Sequence, residues 1–319
     1  MATQKSRSNS NSSLGELPSR RSAVALALGL LPGVPGSLLV AQDNASVRLA
    51  LSESVVGDVN VNDARAAMKV WISLITKELN VVIDPKLFST TQEIHDRMRK
   101  GELDAVALNI LEYRQIAELF DSSQIVAAGG PAGLEQYVIL TKLSAGYRQV
   151  GELKGKRFCT LKSPRMCLAA DWLFTILDEV HRGPAEQFFS SVSVDSKFSR
   201  VVLPVFFGQA DACLTSKRGF ETMCELNPQV ARDLKVIASS PAMVLSFYVF
   251  RRNYHGPSRQ KVIKAISGLR NTTAGQQLAT LFQFDELTLR DATCLAPGLA
   301  ILDAADRARG RRSTGGRKG

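Results

Sequence analysis

Short apolar runs alternate with longer stretches whose apolar positions recur at three- and four-residue steps. Runs of the first kind read as strands and stretches of the second kind as helices with one buried stripe. VRLALS at 47–52 is the first strand, and the segment from Asn62 carries a helical stripe through Ala64, Ala67 and Met68 to Leu79. VVID at 81–84, a short helix from Gln92 stopped by Gly101, DAVALN at 104–109 and a helix from Leu111 follow. A glycine-rich break at 129–133 separates these from EQYVILTK at 135–142, after which the alternation restarts. KRFCTL at 156–161, a helix from about Arg165 and FFSSVSV at 188–194 lead into residues 202–241. That region reads as helix, Gly-Gln-Ala-Asp, buried strand, helix, Asn-Pro and second buried strand. VLSFYVFRR at 244–252 is a long strand, and two helical faces close the pattern, one on Val262, Ile263, Ile266 and Leu269, the other on Leu278, Leu281 and Phe282.

Repeated βα units of this kind predict an α/β fold with mostly parallel sheets covered by helices. The restart after the break predicts two lobes: 42–133, then 134–240, then a return to the first lobe over 241–303. The chain then crosses between lobes twice, near 129–136 and 238–246, which makes a hinge able to close on a ligand.

Charge and cysteine content change this picture little. The 319 residues are 45% hydrophobic and 22% charged, enough for two cores. The net charge of +10 is confined to the ends: residues 1–41 hold Lys5, Arg7, Arg20 and Arg21 against Glu16, and residues 307–319 hold six basic residues and no acidic one. The body is close to neutral, which argues against a nucleic-acid partner. Residues 304–319 read as a basic, disordered tail. Arg20-Arg21, the apolar run AVALALGLL at 23–31 and the small residue Ala41 make residues 1–41 a secretory leader, with a weak twin-arginine character. The run is too short to span a bilayer, which takes about 20 residues. The five cysteines form no C-x-x-C pair and the three histidines are isolated, so neither a metal site nor a cofactor is expected. Buried thiols are the default expectation, with a Cys159–Cys213 or Cys167–Cys224 bridge left open.

In open α/β sheets ligands bind beyond the carboxyl ends of strands, where helix starts offer unpaired N–H groups suited to oxyanions. Three loops qualify: the one holding Ser52 and Ser54, the one from Asn109 to Tyr113, and Lys162-Ser163-Pro164-Arg165. Ser196-Lys197, ahead of another helix, is a fourth. Asp211 has two readings of equal standing, an acceptor for a ligand group or a brace for the turn entering its strand.

Several segments together resemble one family. Leu153-Lys154-Gly155-Lys156-Arg157, Gly208-Gln209-Ala210-Asp211-Ala212, Glu225-Leu226-Asn227-Pro228 and Thr273-Ala274-Gly275-Gln276-Gln277-Leu278, the last followed by Leu281-Phe282, are similar in order and spacing to the PhnD-like substrate-binding proteins of phosphate, phosphite and phosphonate ABC importers. The resemblance covers about 45–290. It implies a two-lobed type-2 periplasmic-binding fold, a periplasmic location, no enzymatic activity, a small anionic ligand and an ABC permease in the inner membrane as partner. It maps Ser163 onto the helix start that holds the anion. The family's further Ser/Thr residues there are replaced by Pro164, Arg165 and Met166, so Lys162 or Arg165 becomes the expected charged contact. It also maps Tyr113 onto a tyrosine able to close over the ligand. The same scaffold in a sensor for a separate signalling partner, or in an enzyme, is the alternative.

Overall fold

The computed structural model describes residues 47–315, apart from 57–58, 80–82, 130–132, 181–182, 257 and 283. The expected leader at 1–41, the middle of the glycine-rich break and the last four residues lie outside the described residues. In chain order the first elements are β1 (Val47–Ser52), α1 (Val61–Leu79), β2 (Ile83–Phe88), α2 (Thr91–Arg99), β3 (Ala105–Asn109), α3 (Ile110–Ile116) and β4 (Phe120–Gly129). Then come β5 (Tyr137–Lys142), β6 (Arg157–Leu161), α4 (Ala169–Val180), α5 (Ala185–Phe188), β7 (Ser191–Asp195), α6 (Phe198–Phe206), β8 (Ala212–Ser216), α7 (Lys217–Leu226), α8 (Pro228–Asp233) and β9 (Leu234–Ser239). The chain ends with β10 (Ser246–Arg251), α9 (Ser258–Ser267), α10 (Thr273–Leu281), β11 (Glu286–Arg290) and α11 (Ala296–Gly315).

The strands form two sheets, β11-β4-β10-β3-β1-β2 and β7-β6-β8-β5-β9, and each sheet with its helices makes one lobe of an α/β fold. Both sheets are mixed. Within them β1, β2 and β3 are parallel, as are β6, β7 and β8. By contrast β10 runs antiparallel to β3 and β4, and β5 antiparallel to β8 and β9. The reason is connectivity: β5 and β10 arrive straight from the opposite sheet, without the helical crossover that a parallel neighbour requires. The two crossing segments pair with each other, through reciprocal Glu135–Met243 backbone bonds of 2.8 Å.

The parallel trios share a construction. In each, an arginine stands first or second in one strand and an aspartate precedes its parallel neighbour. Asp104 accepts from the Arg48 backbone N–H and Nε, both at 3.0 Å, and from Nη2 at 2.8 Å. Asp211 accepts from the Arg157 backbone N–H at 2.8 Å and from Nε at 3.0 Å. Each aspartate N–H returns to the arginine carbonyl. Each aspartate also follows a glycine three residues earlier, Gly101 at φ 68° and Gly208 at φ 75°, in the left-handed turn that reverses the chain out of the preceding helix.

One apolar cluster lies between the first sheet and α1, α9 and α10, with Met68, Val126, Val262 and Leu278 among its members. The other runs from the opposite face of that sheet through β5 into the second sheet, and takes in Leu295, Ile301 and Leu302 at the C-terminal end. Residues 304–315 are therefore not a disordered tail: they continue α11, which packs on α4 and α3. Ile301, Leu302, Ala305 and Ala308 form its buried stripe. Several of its charges are matched, Arg309 to Asp171 at 2.5 Å, Arg311 to Asp178 at 2.6 Å, and Asp306 to Arg114 at 2.6 Å. All five cysteines are free, with Cys159 and Cys213 paired in register across β6 and β8. Among the described residues no helix is long and apolar enough to cross a membrane.

Candidate ligand-binding site

The carboxyl ends of β6, β7 and β8 converge on a cavity of about 580 Å³. Ser163 borders it from the loop after β6, Ser196 from the loop after β7, and Ser216, Gly219 and Thr222 from the end of β8 and the first turns of α7. The local reason is that each parallel strand here runs out of apolar residues at a polar residue, and the chain must then turn into a helix. Lys162 donates its N–H to the Asp195 carbonyl at 2.9 Å, tying the first two loops together. Ser163 is extended (φ −149°) and precedes a single helical turn over Pro164–Met166. The side chains of Ser163 and Ser196, which border the cavity, make no hydrogen bond among the described residues, so their hydroxyls have donors to offer a ligand. Ser216 accepts from the Gly219 N–H at 3.2 Å and so caps α7, whose positive end faces the same space.

Arg165 closes the cavity on the side of the first lobe. Its Nη1 donates to Glu135 Oε1 at 2.5 Å, and its Nη2 to the Phe282 carbonyl, at the end of α10, at 2.6 Å. One guanidinium thus joins the second lobe, the hinge and the first lobe. Its remaining N–H groups form no hydrogen bond among the described residues.

The other expected site residues have different surroundings. Ser52 and Ser54 both donate to the Glu112 carboxylate, at 2.5 and 2.7 Å. Asn109 forms a reciprocal cap with the same residue: its side chain accepts from the Glu112 N–H, and its own N–H donates to Glu112 Oε2, both at 2.9 Å. This network fastens the loop after β1 to the start of α3 and engages both serine hydroxyls and the Asn109 backbone N–H. Tyr113 cannot close over a ligand. It is buried, bonded to Ser122 at 2.7 Å, stacked on Phe120 and set edge-on to Phe247. At the fourth position of a helix capped by Asn109, its side chain turns inward to the core. Asp211 lies at the amino end of β8, the end of the sheet away from the cavity, and the Arg157 hydrogen bond holds its carboxyl below the usual carboxylate range. Its surroundings fit the turn brace. Lys162 and Lys197 are exposed and do not border the cavity.

Sequence reasoning passed over Ser216, Thr222, Glu112 and Glu135. Ser216 was legible by the rule that found Ser163, since it ends a buried strand and opens a helix. Glu112 was legible as the third residue after Asn109, the spacing of a reciprocal cap. Glu135 carries no local signal, because its partner lies 30 residues away.

The same fold occurs in solved structures of low identity. A binding protein component of an ABC phosphonate transporter from Pseudomonas aeruginosa is 13% identical, with a TM-score of 0.53 over 84% of this chain and 88% of that one. PhnD1 from Prochlorococcus marinus, solved with methylphosphonate, is 14% identical, with a TM-score of 0.53 over 81% and 97%. The periplasmic aliphatic sulphonate binding protein SsuA from Escherichia coli is 15% identical, with a TM-score of 0.50 over 84% and 87%. No curated protein sequence matches the chain. The family model described as "ABC transporter, phosphonate, periplasmic substrate-binding protein" matches residues 54–293, well over half of the chain. The two mixed sheets joined by paired crossings and the match along the sequence agree: this chain belongs to the family of periplasmic substrate-binding proteins of ABC phosphonate transporters, a family of solute carriers and not of enzymes.

Proposed function

We propose that this chain is exported to the periplasm, takes a small oxyanion between its lobes and delivers it to an ABC permease. The observation that carries the ligand class is the cavity at the carboxyl ends of β6, β7 and β8, where Ser163 and Ser196 have unbonded hydroxyls beside the amino end of α7. Such a set donates hydrogen bonds and favours negative charge. Arg165 adds N–H groups from the cleft side, suited to a phosphonate, phosphite or sulfonate oxygen. Lobe closure brings Arg165 and the serines around the anion, with the paired crossings as the hinge. The leader-like composition of residues 1–41 supports export.

Calorimetric titration of the folded chain with phosphate, phosphite, methylphosphonate and methylsulfonate tests the reading. At least one of them is expected to bind, and Ser163→Ala with Ser196→Ala is expected to weaken it at least about tenfold, since hydrogen bonds to charged groups are worth roughly 1.5–3 kcal/mol each. Unchanged affinity in the double variant, with the fold intact by circular dichroism, would move the anion out of this cavity.

A further inference from the structure

A second cavity, of about 270 Å³, lies between the first lobe's sheet and its helices and reaches the crossings and Pro164-Arg165 of the second lobe. Leu51, Ala107 and Val126 line it from the strands, Met68 from α1, and Leu278 and Leu281 from α10. Folded interiors hold few voids larger than a water molecule. An apolar cavity of about 150 Å³ already accepts a benzene ring. This one is larger and stands in the middle of the first lobe's own apolar cluster. Its polar groups are few, and they include Arg165 and Glu135, the residues that also border the oxyanion cavity. The two cavities therefore adjoin at the Arg165 guanidinium. Tyr248 also lines the apolar cavity. Its hydroxyl has no hydrogen-bond partner among the described residues, and burial pushes its pKa up to about 12.

We infer that the natural ligand is amphiphilic: an alkyl or aryl oxyanion whose head meets Arg165 and the serines of the second lobe, and whose carbon tail fills the apolar cavity of the first lobe. This rests on the oxyanion reading above and narrows it. An unsubstituted phosphate or a methylphosphonate leaves the apolar cavity empty, whereas a chain of several carbons removes its own surface from water there. The Tyr248 hydroxyl gives the inner wall one polar point, which an ether or hydroxyl on the tail can meet. Charge complementarity sets the polarity of the head: Glu135 is already held by Arg165, while the guanidinium keeps donors to spare.

The test is a calorimetric series on the folded chain with methyl-, butyl-, hexyl- and octylphosphonate, with hexylsulfonate and hexanol beside them. Affinity is expected to rise about fourfold per methylene, as burial of roughly 0.8 kcal/mol each implies, and to level off when the cavity is full. Val55, in the turn after β1, and Ala128, on β4, also line the cavity, and two filling variants of these different walls, Ala128→Leu and Val55→Phe, are expected to flatten the series while methylphosphonate affinity stays unchanged, which also certifies their folding. Equal affinity for methyl- and hexylphosphonate in the wild type would overturn the tail site and leave the oxyanion reading standing. Binding of hexanol with no binding of any oxyanion would overturn both. Steep chain-length dependence that survives in both folded variants would place the tail elsewhere and likewise sink the inference.

Discussion

Asp104 and Asp211 occupy equivalent positions, each clamping an arginine at the amino end of a parallel strand trio. Their neighbours match too, Gly101-Glu102-Leu103-Asp104-Ala105 against Gly208-Gln209-Ala210-Asp211-Ala212. One pattern serving both lobes in the same way marks it as a device of the fold, so Asp211 is expected to matter for stability and not for binding. Asp104 is the more consequential of the two, because its side chain is 3% exposed and a second arginine, Arg251, stands 3.6 Å away. Asp104→Asn is expected to cost about 1–3 kcal/mol in denaturant unfolding, the range for a disrupted buried polar group. Asp211→Asn should cost less, its partner being largely exposed, and should leave oxyanion affinity as in the wild type. The acid response follows from the sign of the shift. Asp211 is held below the unfolded aspartate value of about 3.9, first by the Arg157 hydrogen bond. Its contribution is therefore complete above that value and is lost as pH falls through the depressed folded pKa. Wild-type stability measured between about pH 4 and pH 2 should decline more steeply than that of Asp211→Asn. Parallel curves would mean that the clamp does not persist in solution.

At the level of elements, strands were the most legible part of the chain. β3 and β5 are buried almost throughout, and such strands announce themselves as continuous apolar runs. Sheet direction was not legible, because whether β5 and β10 pair antiparallel depends on where the chain crosses between lobes. The loops that border the cavity were legible by a local rule, as at Ser163 and Ser196, whereas Tyr113, placed by resemblance, met a different packing. The C-terminal helix is the clearest case of a missed element. Its basic residues suggest a solvated tail, and the acidic residues that accept them, Asp171 and Asp178, lie on α4, more than 130 residues earlier. Alanine, leucine and arginine favour helix locally, and the buried stripe then decides the outcome. Ile301→Ala is expected to destabilise the protein by about 2–5 kcal/mol, as for other large-to-small core changes. Arg309→Ala should cost no more than about 1 kcal/mol, and that loss should shrink in high salt. Thermal unfolding of both variants at low and high ionic strength separates the apolar from the ionic share. An Arg309→Ala loss exceeding that of Ile301→Ala would reverse this ranking of what holds α11.

Across the whole molecule, Arg165 is the side chain that ties the lobes to the hinge. The lobes meet at the Glu135–Met243 pairing of the crossings, and Arg165 reaches over that hinge to Glu135 and to the end of α10. On the proposed reading, this contact is expected to hold the lobes together before any ligand arrives, and so to raise the population of the closed form and the apparent affinity. The side chain of Glu135 is 9% exposed, so removing the arginine strands a buried carboxylate. Arg165→Ala should therefore lower stability by about 1–3 kcal/mol and weaken oxyanion binding. Those two effects alone do not distinguish a hinge latch from an ordinary ion pair; the shape of the free protein does. Small-angle scattering of unliganded Arg165→Ala should give a larger radius of gyration than wild type, with the difference narrowing at saturating ligand. Arg165→Lys keeps the charge but lacks the fork that reaches Glu135 and the Phe282 carbonyl at once. It should recover part of the stability while the free protein stays expanded. If both variants scatter like the wild type without ligand, closure is set by the crossings and the shared apolar core, and Arg165 acts on the ligand alone.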